Sequence, residues 1–140
     1  MSLKETIASV KESFSEAVLD VTECSGEQIV HVKGDGVFSI LQLFKDEGFD
    51  FLADLTAVDN MNLGGFERFA VVYHLLSHKF LMRVTVKAYI NEKNPILPSV
   101  ESLWKTADWQ EREVYDLFGI SFENHPDLTR IMNPEAFDGH

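Results

Sequence analysis

The chain has a single cysteine, Cys24. It therefore cannot form an internal disulfide or a thiolate cage for zinc or an iron–sulfur cluster, and this usage fits a reducing, cytoplasmic setting. No stretch approaches the roughly 18 apolar residues of a membrane-spanning helix. The N-terminus Met1-Ser2-Leu3-Lys4-Glu5 lacks the basic and apolar regions of a secretory signal. Basic residues are scarce: 12 Lys and Arg stand against 23 Asp and Glu, a net charge of −11. That balance argues against nucleic acid or an anionic membrane as a direct partner. Glycine-rich phosphate loops are missing too, since Gly34-Asp35-Gly36 and Gly64-Gly65 are too short to be more than turns. Internal repeats and low-complexity tracts are absent.

What is present suits one domain. The chain has 140 residues, 45% of them apolar, a size that buries its own core without a metal or disulfide staple. Apolar spacing at Ile7, Val10, Phe14, Ala17 and Val18 predicts an amphipathic helix over about 4–20. A short strand over 28–32 follows, then a helix from Val37 closed by Gly48. Residues 49–58 read as a strand with Phe49, Phe51, Ala53 and Leu55 on one face, and Asp59 to Gly65 reads as a turn. Two more strands, 69–76 and 80–90, have Met82, Val84, Val86 and Ala88 opposite Arg83, Thr85 and Lys87. One-sided strands of this kind imply a sheet whose second face meets water or a partner. Ser99 reads as the N-cap of a helical stretch. Asp108 with Glu111 reads as a capping box for a last helix over about 109–118, closed by Gly119. The expected fold is α+β: a two-layer α/β sandwich with a mixed, mostly antiparallel sheet and helices on one face. A single domain over 1–119 is followed by an extended tail over 120–140.

Charge is unevenly placed. Residues 68–93 hold five basic side chains (Arg68, Lys79, Arg83, Lys87, Lys93) and one acid (Glu92), whereas 101–140 hold three basic and nine acidic. Such a basic face and acidic end each suit a complementary protein surface, and equally suit plain solvation. His74 and His78 stand four apart but on a strand and a turn, without the intervening Glu of a zinc-protease motif, so no metal site is expected. Cys24 has no neighbour to activate it. The densest cluster is Glu111-Arg112-Glu113-Val114-Tyr115-Asp116-Leu117-Phe118-Gly119-Ile120. There Glu111 and Glu113 suit the helix dipole, Arg112 can reach Asp116, and Trp104, Trp109, Tyr115, Phe118 and Phe122 crowd alongside. Aromatics beside Arg and carboxylates compose either an interface hot spot or a small aromatic core.

Two runs carry a resemblance to a known family. Glu111-Arg112-Glu113-x-x-Asp116-Leu117-Phe118-Gly119-Ile120 and His125-Pro126-Asp127-Leu128-x-Arg130-Ile131 stand in fixed register over residues 111–131. Together they closely resemble the signature of the thirty-kilodalton subunit of respiratory complex I, the NADH:quinone oxidoreductase. Asp54-Leu55-Thr56-Ala57-Val58-Asp59 and the basic strand after it look like the same family, so the resemblance covers about 35–140. It implies a hydrophilic peripheral-arm subunit without a cofactor or metal of its own. NADH, flavin, iron–sulfur clusters and quinone would be bound by partners, namely the large quinone-site subunit and the iron–sulfur subunits. Attachment to the cytoplasmic side of the inner membrane would come through those partners alone. Glu111, Arg112, Glu113, Tyr115, Asp116, Phe118, Gly119, His125, Pro126, Asp127 and Arg130 are then residues of partner contact and local structure, with none catalytic. The family usually has a basic residue where Thr129 stands, and a tail longer than one ending at His140. The equivalent subunit of a membrane-bound nickel–iron hydrogenase or related dehydrogenase shares the signature. A third expectation, from another class, is a free-standing acid–base enzyme using Glu111, Glu113 and His125, which requires a pocket around them.

Overall fold

The computed structural model describes residues 3–60 and 67–125. Helix α1 (Leu3–Ser13) leads into a hairpin of β1 (Val18–Cys24) and β2 (Glu27–Lys33). A 3-10 turn over Gly34–Gly36 then starts α2 (Val37–Asp46). Strands β3 (Phe51–Asp59), β4 (Phe69–Ser77) and β5 (Met82–Ile90) follow, then β6 (Ile96–Pro98), α3 (Ala107–Phe118) and β7 (Ser121–Glu123). The five-stranded sheet has the order β1-β2-β5-β4-β3. Every neighbouring pair is antiparallel except β2 with β5. Strands β6 and β7 form a small parallel pair of their own. No helix of the described residues is long and apolar enough to cross a membrane.

Alternation sets the two faces of the sheet. In β4 and β5 the pairs Leu75 with Val84, Tyr73 with Val86 and Val71 with Ala88 lie on the inner face. Ile7 and Val10 of α1, Ile40, Leu41 and Phe44 of α2, and Val114 of α3 join these side chains in one core cluster, so the helices share one side. Phe44 meets Phe49 edge to face, with ring centroids 5.5 Å apart. The outer face carries a polar lattice instead: Thr22 to His31 at 2.8 Å, His31 to Tyr89 at 2.8 Å, and Thr85 donating to Glu27 at 2.7 Å. The two-layer, mostly antiparallel α+β arrangement expected from the sequence is the one observed.

Several boundaries differ from the sequence reading. The first helix ends at Ser13, and Val18 onward is a strand, because Ser25 and Gly26 (φ 53° and 81°) close a two-residue hairpin onto β2. Phe14, Ala17 and Val18 still pack on the core, which is why their spacing looked helical. In β3 the register shifts between Leu52 and Asp54, so Ala53 is a bulged residue. Leu52 and Leu55 are therefore the buried residues, while Phe51 and Ala53 are exposed. Ser99 starts no helix; residues 101–106 form turns, and the last helix begins at Ala107. Residues 120–125, read as the start of a loose tail, belong to the domain. Ile120 and Phe122 are buried, and β7 pairs with β6. Three residues of alternation are too few to announce a strand. Residues 126–140 lie outside the described residues, as does most of the Asp59 to Gly65 turn.

Candidate functional site

Helix α3 presents two opposite chemistries on its two sides. On the buried side, Glu111 is 0% exposed. The Ser99 hydroxyl donates to its Oε1 at 2.6 Å and the Val100 N–H donates to its Oε2 at 2.9 Å. His125 Nε2 sits 3.8 Å from Oε1, while donating to the main-chain oxygen of Asp108 at 2.9 Å and lying 3.0 Å from Asp108 Oδ1. Burial raises the Glu111 carboxyl to about 7; the bonds from Ser99 and Val100 and the nearby His125 oppose this, and Glu101 adds to it. Tyr73 of β4 lies beneath, its hydroxyl fully buried and pushed well up by burial and then by the Glu111 charge. Glu111 thus ties the 99–100 segment to α3 and stands beside the point where the chain leaves β7.

This is not a capping box. Asp108 lies inside the first turn of α3, and Glu111 reaches across to a different segment instead of back to Asp108. Nor does Glu111 sit on the surface as a helix-dipole residue. No sequence signal separates Glu111 from Glu113, since both are acids in the same turn. What distinguishes them is facing: two residues apart on a helix is about 200°, so one points in and the other out.

On the outer side, Trp109, Glu113 and Leu117 form a stripe at intervals of four. Trp109 is 61% exposed and Leu117 is 78% exposed. The indole is nonetheless held in place. Its Nε1 donates to Glu113 Oε1 at 2.7 Å, and the Arg112 guanidinium lies 5.5 Å from the ring centroid. Asp116 and Phe118 are also exposed, and Gly119 ends the helix in the left-handed region (φ 73°), its N–H bonding Tyr115 oxygen. Gln110 ties the flank of α3 to the sheet by donating to Asp54 at 3.2 Å. The aromatics singled out in the sequence divide accordingly. Trp104 and Phe122 are core and Tyr115 packs partly against it, whereas Trp109 and Phe118 face outward.

Of the signature residues, the structure brings Glu111 and His125 together in the interior and places Arg112, Glu113, Asp116 and Phe118 at or near the surface of α3. Pro126, Asp127 and Arg130 lie outside the described residues. Glu111, Glu113 and His125 do not converge on a common space, because Glu113 turns outward while the other two are sealed from solvent. A cavity of about 560 Å³ is lined elsewhere, by residues that include Lys33, Asp35, Tyr89, Asn91 and Asn94. His74 bonds Thr85 at 3.1 Å and His78 pairs with Asp50 at 3.1 Å, so the two imidazoles have separate partners. Among the described residues no group of three or more His, Cys, Asp and Glu is arranged to hold a metal ion.

The fold is an α+β domain whose α3 carries an outward-facing set of aromatic and charged groups. The match to a family model is specific: residues 30–140 fit that of the respiratory-chain NADH dehydrogenase, 30 Kd subunit. An NADH-quinone oxidoreductase subunit from Citrifermentans bemidjiense is 44% identical over 135 residues, covering 96% of this chain and 83% of the relative. Among solved structures, Nqo5, in a trypsin-resistant fragment (1-134), superposes with a TM-score of 0.80 at 35% identity, covering 91% of this chain and 99% of that one. A chain of the membrane-bound sulfane sulfur reductase, an archaeal respiratory membrane complex, superposes with a TM-score of 0.72 at 24% identity and 89% and 72% coverage, which shows the shared fold alone. The chain belongs to the family of the 30 Kd subunit of respiratory-chain NADH dehydrogenase.

Proposed function

We propose that the chain works as the thirty-kilodalton-type subunit of an NADH:quinone oxidoreductase, a peripheral-arm protein that holds its neighbours in register while electrons pass from NADH to quinone. It makes no bond and carries no electron itself. NADH, flavin, iron–sulfur clusters and quinone belong to partner subunits, and the chain meets the cytoplasmic side of the inner membrane only through them. The large quinone-site subunit and the iron–sulfur subunits are the partners this reading assigns. The family relationship supports the setting.

The observation that carries the mode of action is the outer face of α3. Trp109 is pinned by Glu113 and Arg112 before any partner arrives, with Leu117 one turn beyond Glu113. A rigid aromatic flanked by both signs of charge loses little conformational freedom on docking, which makes it an efficient anchor. Glu111 contributes indirectly, by fixing how α3 sits on the domain. The test is a double charge reversal, Arg112→Glu with Glu113→Lys, expressed in place of the natural chain. Assembly and membrane NADH:quinone activity fall while the isolated chain keeps its melting temperature. Full assembly of that variant contradicts the reading. The equivalent role in a nickel–iron hydrogenase predicts the same mutational result with a different set of co-purifying subunits.

A further inference from the structure

The tip of the β4–β5 hairpin combines features that the isolated chain has no reason to favour. Leu81 is 88% exposed. Its backbone is also left-handed, with φ 54°, a conformation that Gly or Asn adopts readily and a leucine does not. Neither burial nor backbone preference supports leucine at this position. The tip is nevertheless firmly built. Ser77 pairs with Met82, the buried Ser77 hydroxyl accepts a bond from Phe80 N–H at 3.1 Å, and the Phe80 ring closes over Gly48, where a Cβ would stand 3.0 Å from it. Leu81 is therefore presented on a rigid support.

Two cations stand beside it. Lys79 lies over the Phe80 ring at 5.3 Å, and Arg83 follows Met82. Among the described residues neither cation has a carboxylate partner. The nearby acids are already engaged: Asp50 is matched by His78 at 3.1 Å, whose hydrogen bonds hold its carboxyl below the usual range, while Glu27 and Asp54, which share a hollow with Arg83, accept from Thr85 and Gln110. Phe51, 39% exposed, lies against the His78 ring at 5.6 Å and extends the apolar area. In a chain of net charge −11, this is an apolar knob flanked by two cations, neither within ion-pair distance of a carboxylate among the described residues.

Resting on the reading of the chain as part of a larger complex, we propose that the Leu81 tip inserts into an apolar pocket rimmed by carboxylates on a neighbouring subunit. This is a second contact, separate from the outer face of α3. Docking buries the exposed leucine side chain and neutralises Lys79 and Arg83, which offsets the cost of the left-handed backbone. The leucine is then held for its partner at some expense to the free chain.

Two variants test this in the full chain, Leu81→Asn and the pair Lys79→Glu with Arg83→Glu, each tagged and expressed in place of the natural chain. Leu81→Asn suits the left-handed backbone, so the isolated protein melts at the same temperature as the natural chain or about 2–5 °C higher. Its incorporation into the purified complex falls about tenfold or more, and the charge pair lowers incorporation most at low salt, the gap to the natural chain narrowing as salt screens the repulsion. Incorporation of Leu81→Asn at the natural level overturns the proposal. So does loss of self-association in the free chain with assembly intact, which would make a second copy the occupant. If the natural chain itself brings down no respiratory subunit, the functional reading fails first and the tip contact fails with it.

Discussion

Replacing Glu111 by glutamine keeps the shape of the side chain and removes its charge. The buried carboxyl has a folded-state value of about 7 against an ordinary 4.5. A raised acid binds more protons folded than unfolded between those values, so its contribution to stability falls as pH rises through that interval. At ~1.4 kcal/mol per tenfold, the interval is worth about 3 kcal/mol between pH 4 and pH 8. Ser99 and Val100 can both still bond a glutamine, since the amide oxygen accepts from Val100 N–H and the amide nitrogen donates to Ser99 oxygen. The titratable groups around it are His125 and Glu101, with Asp108 against His125 and the Tyr73 hydroxyl below. Urea unfolding of both proteins at pH 5, 6, 7 and 8 checks this. Glu111→Gln is expected to be close to the natural protein at pH 5 and to gain on it steadily, by up to about 3 kcal/mol at pH 8. A variant that is less stable by the same amount at every pH would refute the reasoning. It would mean that Glu111 is ionised in the fold and held there by His125.

Other expectations follow from the packing. Phe44→Ala, at a fully buried position against Phe49, lowers unfolding free energy by about 3–5 kcal/mol in the same assay. Gly119→Ala has open space for its methyl group and meets only backbone strain at φ 73°, so it costs about 1 kcal/mol and frays the end of α3, which amide exchange at Tyr115 to Phe118 detects. Trp109→Ala leaves stability within about 0.5 kcal/mol, as at other exposed positions, but weakens incorporation into the complex.

Legibility in the sequence followed the length of the pattern. Nine-residue strands such as β5 show their alternation, and α2 shows both its periodicity and its end at Gly48. The hairpin of β1 with β2 was hidden because Phe14, Ala17 and Val18 satisfy helical spacing while actually packing on the core from a turn and a strand. The bulge at Ala53 was invisible because an inserted residue inverts the faces without changing composition. At the site, the signature marked the right helix but not which of its acids is buried. That depends on Ser99 and Val100, twelve and eleven residues away in sequence. Leu81 carried no signal at all, since an exposed leucine is ordinary until its backbone conformation is known.

The most direct measurement is a tagged pull-down of the full chain from gently solubilised membranes of its source, with the co-purifying subunits identified by mass and the preparation assayed for NADH:quinone and hydrogenase activity. Membership in an NADH:quinone oxidoreductase predicts a flavin-bearing NADH-oxidising module and quinone-reducing activity in the eluate. Recovery of a nickel–iron large subunit in its place, or of no partner at all, would contradict it.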